Sequence, residues 1–293
     1  LGLAAVAVAP RVEAMRVAGR FPTTMPILFD GRTWPSDGLP WFYIPKYVLI
    51  GTPLGVLALA LIGLLFAVRA AGPALLPWES RIGRAPVLWL FVPLGLFALL
   101  RPNVYGGMRH FLFVLPPLGI LAGYGAARLL AAVPRRRRVV VGIALGVVLL
   151  LPVRHLVRLH PYQISYYNAL VGGVGGASER YWTDYGMTSY RAAIEWVNQR
   201  AAATPERPVR AALAAGPPVI LWARGYAAPN VELVALRDVP PHERRGAFAD
   251  YYIGTTRLGT DRAFPDAPIV HSIGRDGAVF TVVRRLTDPT EPL

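Results

Sequence analysis

NVYGGMRHFLFVLPPLGILAGYGAARLLAAVPRRRR, residues 103–138, is the stretch that decides how the chain is organised. It opens on a polar turn with two adjacent glycines, carries Arg109 and His110, continues into about twenty apolar residues and closes on four consecutive arginines. That order, charge then apolar run then charge, is the layout of a helix crossing a bilayer, with one working end and one anchoring end.

Composition extends the reading outward. Of the 293 residues, 54% are hydrophobic and only 16% charged, against roughly 25% charged in soluble domains. Cysteine is absent, which removes disulfides, thiol catalysis and thiolate metal sites. The net charge of +14 is unevenly placed: residues 1–159 hold 17 basic and 4 acidic side chains, and residues 160–293 hold 14 and 13. A basic excess confined to the apolar half favours lipid headgroups or a phosphate-bearing substrate and argues against nucleic acid.

The expected architecture is a polytopic α-helical membrane bundle, with about four complete spans and a partial first one, followed by a small extracytoplasmic α/β domain. The division is 1–159, with an outer loop at 11–46, and 160–293. Leu1–Ala9 reads as the tail of a helix that begins further upstream, so the chain reads as the C-terminal part of a longer protein. The complete spans are expected at Tyr47–Ala67, Pro86–Leu100, from His110 to Val133, and Val139–Val153. Five prolines keep the 11–46 loop from forming a continuous helix, and Trp34, Trp41, Phe42 and Tyr43 suit a membrane surface. If Arg135–Arg138 are cytoplasmic, the connector from Arg69 to Arg84 is cytoplasmic too. The 11–46 loop, the Arg101–His110 turn and the C-terminal domain then lie outside. Nine basic residues fall on that outer side and eight on the inner, and an anionic substrate would account for the outer excess.

Beyond His160 the pattern changes to short strands at Val209–Ala214, Val231–Leu236, Asp250–Ile253, Pro268–Ser272 and Val279–Val283, separated by Pro, Gly and Asp turns. One amphipathic helix starts at a Ser189 cap, with Ala193, Trp196 and Val197 on one face.

Candidate chemistry sits at three places. Arg109 can hold a phosphate in two-point contact and His110 can add a hydrogen bond; the alternative is an arginine that only flanks a span. Tyr105 adjoins them, and the glycines at 106 and 107 let backbone approach a ligand closely. In WTDY, residues 182–185, aromatic rings suit a sugar face and Asp184 its hydroxyls, with Tyr185 beside it; the alternative is a structural turn with an aromatic core. Asp30 and Asp37 are candidates for an acceptor or metal contact, or for simple turns in DGR and SDG. The glycine run at 172–176 has neither phosphate-loop spacing and reads as a flexible loop.

The segments YGGMRHFLFVLPPLGILAGYG and HPYQISYYNALVGGVGGASERYWTDYGMTSYRAAIEWVN together resemble the C-terminal half of bacterial GT-C class glycosyltransferases, of the family 39 or protein-mannosyltransferase-like kind. LFDGRTWPSDGLPWFYIPKYVLIGTPL resembles the outer loop and following helix of the same group. The resemblance covers residues 20–200. It implies transfer of a sugar from a polyprenyl-phosphate-linked donor to an acceptor glycan, lipid or protein, at the outer face of a bacterial plasma membrane. It implies inversion at the sugar, with a carboxylate activating the acceptor hydroxyl. That carboxylate belongs to a first outer loop with no match here, so the resemblance supplies binding roles only: Arg109, His110 and Lys46 toward the phosphate. A divalent cation is a further candidate partner, without an assigned ligand set. The reading from another class is a non-enzymatic membrane subunit or sensor with an extracytoplasmic α/β domain.

Overall fold

The computed structural model describes residues 24–69, 77–245 and 248–287. The expected helix tail at Leu1–Ala9 and the first part of the 11–46 loop lie outside them. The chain divides into two compact units, Leu1–His155 with Tyr167–Val171, and Leu156–Tyr166 with Gly172–Leu293. The expected border at 159/160 therefore moves into a helix, and a five-residue segment returns to the first unit.

The first unit opens on a hairpin, β1 (Pro26–Phe29) and β2 (Arg32–Pro35), paired antiparallel with Phe29 opposite Arg32. Asp30 and Gly31 both take positive φ, 56° and 75°, the two-residue turn that Asp-Gly favours because it matches the twist of the strands. This segment was expected to be loop throughout. Prolines at its ends, Pro26 and Pro35, sit where a two-stranded ribbon tolerates them.

Helix α1 (Tyr43–Gly51) follows, then α2 (Leu54–Arg69). Together they occupy the span expected at Tyr47–Ala67, but they meet at 116°. Pro53 supplies no backbone N–H and disfavours helical geometry at the residue before it. The break frees carbonyls at the end of α1, and Asn168 takes them: its side-chain amide donates to Leu49 O at 2.7 Å and Thr52 O at 2.8 Å, and its backbone N–H donates to Ile50 O at 2.8 Å. Asn168 is 3% exposed and its bond to Thr52 O is buried, so that carbonyl has no recourse to water.

Helix α3 (Pro77–Leu100) leads to a 3-10 turn at Arg109–Val114, then α4 (Leu115–Ala132) and α5 (Arg135–Leu159). α2 and α4 pack at backbone distance. A Cβ added to Gly63 would lie 1.9 Å from Leu121 O, and one added to Gly125 would lie 2.1 Å from Leu59 O. Contact through small residues is how helices associate in lipid, where hydrophobic burial gives no drive and close packing must. Phe66 lies under the Arg128 guanidinium at 5.1 Å. With Leu59 and Gly63 on Leu121 and Gly125, this makes α2 and α4 parallel. Arg69, Arg128 and the start of α5 therefore share one end of the unit.

Among the described residues, two helical stretches are long and apolar enough to cross a membrane, Arg109–Ala132 and Arg135–Leu159, or three spans if the bent α1–α2 pair is one. This corrects the expectation of four complete spans. α2 has 16 residues, about 24 Å at 1.5 Å per residue, short of a ~30 Å hydrocarbon core. The apolar part of α3, Arg84–Leu100, is likewise too short. α5 is apolar on all sides, with Val139, Val140, Ile143 and Leu150 each more than 60% exposed. The four arginines are its first turn rather than a loop before it.

The second unit is a five-stranded mixed sheet, order β4-β3-β5-β7-β6, with β3 (Val209–Leu213), β4 (Val231–Ala235), β5 (Tyr251–Thr255), β6 (Ile269–Arg275) and β7 (Ala278–Arg285). β3 runs parallel to β4 and β5, and β7 runs antiparallel to β5 and β6. A short helix α6 (Gly173–Ala177) stands where a flexible glycine loop was expected. α7 (Ser189–Ala201) lays Tyr190, Ala193, Ile194, Val197 and Ala201 on one face of the sheet. Ile194 and Val197 are fully buried, each contributing about 1.5–3 kcal/mol. On the opposite face Ala212 and Tyr252 pack with Phe248 and Phe264. α8 (Pro217–Arg224) connects β3 to β4 and was not foreseen.

Candidate functional site

The sequence-predicted binding residues of the first unit gather around one aromatic cluster. Phe29, at the hairpin tip, meets Tyr43 at 4.9 Å and Tyr47 at 5.7 Å, one turn apart on α1. Tyr43 reaches Phe97 at 6.5 Å, and Phe97 reaches Phe111 at 5.4 Å. Such pairs contribute about 0.5–1.5 kcal/mol each beyond the area they bury.

Two charged groups stand on the hairpin side of this cluster. Lys46 pairs with Asp30 at 2.5 Å and lies 5.6 Å over the Phe29 ring. Both side chains are about 30% exposed. Asp30 is thus a turn residue and a partner for Lys46, and Lys46 meets any substrate phosphate with its charge already matched. Asp37 accepts from the Thr24 hydroxyl at 3.1 Å, inside the turn that follows β2.

On the other side, Gly106 and Gly107 take φ of 75° and 66°, and the Gly107 N–H donates to the Tyr43 hydroxyl at 3.2 Å. A Cβ at Gly107 would come within 3.2 Å of the Tyr47 ring, so here the glycine lets backbone approach an aromatic wall. That turn brings Tyr105, Arg109 and His110 together. The Arg109 guanidinium lies 5.2 Å over the Tyr105 ring, and His110 meets the same ring edge-on at 4.8 Å. Both are exposed at the start of the Arg109–Ala132 helical stretch. A guanidinium seated over a ring is restrained in position, which favours two-point contact with a phosphate.

The second unit treats its candidates differently. Asp184 is fully buried, and both carboxylate oxygens are spent on the first turn of α7. Oδ1 accepts from Thr188 N at 3.0 Å and Thr188 Oγ1 at 2.9 Å, while Oδ2 accepts from Ser189 N at 3.0 Å and Ser189 Oγ at 2.5 Å. Ser189 Oγ lies 2.7 Å from Thr281 Oγ1 on β7. The geometry is that of the structural turn, not of a sugar ligand. A carboxylate satisfies orphan N–H groups at a helix start and complements its dipole. Asp184, rather than Ser189, is the cap.

Tyr185 is half-buried, and its ring lies under Arg257, 4.3 Å away; the same guanidinium is 4.9 Å from Trp182 and donates to Tyr185 O at 2.7 Å. Arg257 thereby organises the WTDY segment. Sequence reasoning missed it because it lies 72 residues downstream in a turn after β5 with no pattern around it.

Among the described residues no group of three or more His, Asp and Glu side chains is placed to hold a metal ion, so the divalent cation acquires no ligand set. Comparison of the chain with protein-family models, curated proteins and solved structures returned no match.

Proposed function

We propose that this protein is a membrane glycosyltransferase acting at the outer face of a bacterial plasma membrane, on a polyprenyl-phosphate-linked sugar donor. Arg109 and His110 are its phosphate-binding groups. The observation that carries the reading is the exposed Arg109–His110 pair seated on Tyr105, at the start of an apolar helix long enough to span the bilayer. A lipid-linked phosphate lies at that depth, where the apolar chain ends and water begins. The opposite end of the first unit carries Arg69, Arg128 and Arg135–Arg138, packed into short stretches as cytoplasmic ends are.

In the reaction, an acceptor hydroxyl oxygen attacks the anomeric carbon, the carbon–oxygen bond to phosphate breaks, and the acceptor proton passes to a carboxylate. Negative charge grows on the leaving phosphate. The Arg109 guanidinium stabilises it, with Tyr105 holding the guanidinium in place and His110 adding a contact. Lys46, matched by Asp30, takes a lesser part. The carboxylate that receives the proton is not assigned to any residue described here.

The test is transfer from a polyprenyl-phosphate sugar by the full-length protein in lipid, with Arg109→Ala compared against wild type. Loss of one preorganised donor to a developing charge costs about 10²-fold or more in turnover, and that is the expected result. Unchanged turnover and donor affinity would refute the role of Arg109.

A further inference from the structure

The second unit contains a cleft of about 460 Å³, inside the range of roughly 300–1,000 Å³ typical of small-ligand sites. None of the candidate residues discussed above lines it. Its walls are His160 and Tyr162 from the segment after α5, Arg191 and Glu195 from the outer face of α7, and Trp222 and Tyr226 from α8 and the turn beyond it.

The chemistry of these groups is specific. Trp222 is 43% exposed, a large indole left at the surface beside a concavity, and it meets Tyr226 at 4.8 Å in an edge arrangement. Arg191 covers Tyr226 at 5.0 Å and pairs with Glu195 at 2.8 Å, one helical turn along α7. The pair places N–H donors and a carboxylate acceptor side by side at the rim, with their charges cancelled. His160 completes the set. The Gln163 side-chain amide lies 2.9 Å from its Nδ1, which holds the ring in place at the mouth of the cleft. His160 is exposed and adds a polar ring edge to the rim.

A matched Arg–Glu pair favours neither an anion nor a cation. The rim hydrogen-bonding groups disfavour a purely apolar guest, which would leave them desolvated and unpaired. What remains is a neutral molecule with a flat C–H face and adjacent hydroxyls, each both donor and acceptor. We infer that this cleft binds a neutral saccharide, its ring against Trp222 and its vicinal hydroxyls on Arg191 and Glu195. The inference does not rest on the transfer reading, because equilibrium binding here needs no donor lipid and no turnover.

The experiment is saturation-transfer NMR on the full chain in lipid nanodiscs, free of glycosidic detergent. Mannotriose, maltotriose and chitotriose serve as probes at about 10 mM, ten times a weak Kd of ~1 mM. Expected is transfer to the ring protons of at least one trisaccharide, with affinity lowered at least tenfold by Trp222→Ala, a change of ~1.4 kcal/mol. Glu195→Gln, at an exposed position that leaves the core untouched, lowers it severalfold and serves as the second variant if Trp222→Ala does not fold. The inference is overturned if none of the three probes shows transfer, if folded Trp222→Ala or Glu195→Gln binds as wild type does, or if inorganic phosphate displaces the saccharide.

Discussion

Replacing Asp184 with alanine separates a structural carboxylate from a substrate-binding one. The change removes four hydrogen bonds at once, at 2.5–3.0 Å. Not all of that is lost. Ser189 Oγ keeps Thr281 Oγ1 as a partner, and the exposed Thr188 hydroxyl turns to water. The Ser189 N–H has no such recourse, because Ser189 is fully buried. Bonds to a charged acceptor are worth about 1.5–3 kcal/mol each, and loss of a cap costs about 0.5–2 kcal/mol. Since these overlap, the expected destabilisation is ~3 kcal/mol. For a unit of this size that lowers Tm by about 10 °C. Asp184→Asn keeps one acceptor but turns an NH₂ group toward two donors, so it should fall between, at ~1–2 kcal/mol. The assay is thermal unfolding of the full chain in nanodiscs, followed by near-ultraviolet circular dichroism, with saccharide and donor binding measured on the same variants. A Tm within ~2 °C of wild type, well inside the shift expected for 1 kcal/mol, combined with loss of binding would refute the reasoning and restore Asp184 as a ligand.

Other perturbations probe the remaining features. Gly125→Val drives a side chain into the Leu59 carbonyl and should lower the thermal stability of the first unit by several kcal/mol. Gly123→Ala, two residues away with nothing within 4 Å of the added Cβ, should be neutral or stabilising by up to ~1 kcal/mol, as read by unfolding in the same lipid. Asn168→Ala strips two side-chain bonds from the carbonyls at the α1–α2 break. It should cost about 2–4 kcal/mol, measurable as faster proteolysis near Pro53. Burial pushes the Tyr252 hydroxyl up to about 12, and it donates to Thr260 O at 2.6 Å. A raised folded-state value stabilises below the unfolded value near 10 and loses that stability as pH rises from 10 toward 12. The loss is ~2–3 kcal/mol, and Tyr252→Phe should flatten that alkaline slope when unfolding is followed against pH.

Legibility in the sequence tracked how local each cause was. All five strands of the second unit lay within one to three residues of their expected places, because alternation and turn residues are properties of neighbouring positions. α7 was visible for the same reason. The helix break at Pro53 was hidden beneath a continuous apolar run, and the residue that closes it, Asn168, is 116 positions from Thr52. The number of spans was overestimated because hydropathy does not register the bend between α1 and α2, and because the apolar part of α3 is too short to cross. At the candidate site, the grouping of Tyr105, Arg109 and His110 followed from adjacency in the chain. The pairing of Lys46 with Asp30 needed the hairpin, and the use of Asp184 needed the fold of α7 against β7. Both carboxylates had been open to a turn reading and a ligand reading, and burial decided for the first at Asp184.

Lys46 is the chain's single lysine, and its ammonium is held against Asp30 at the hairpin. Acylation requires that nitrogen to leave its carboxylate and give up its proton. The rate at which an amine-directed reagent modifies this side chain therefore reports how often the Asp30 contact opens. A population of donor lipid that recruits the ammonium to a phosphate would slow the labelling, and one that draws Asp30 away would quicken it. The molecule thus carries, without engineering, one chemically addressable reporter beside the aromatic cluster on which its proposed donor site is built.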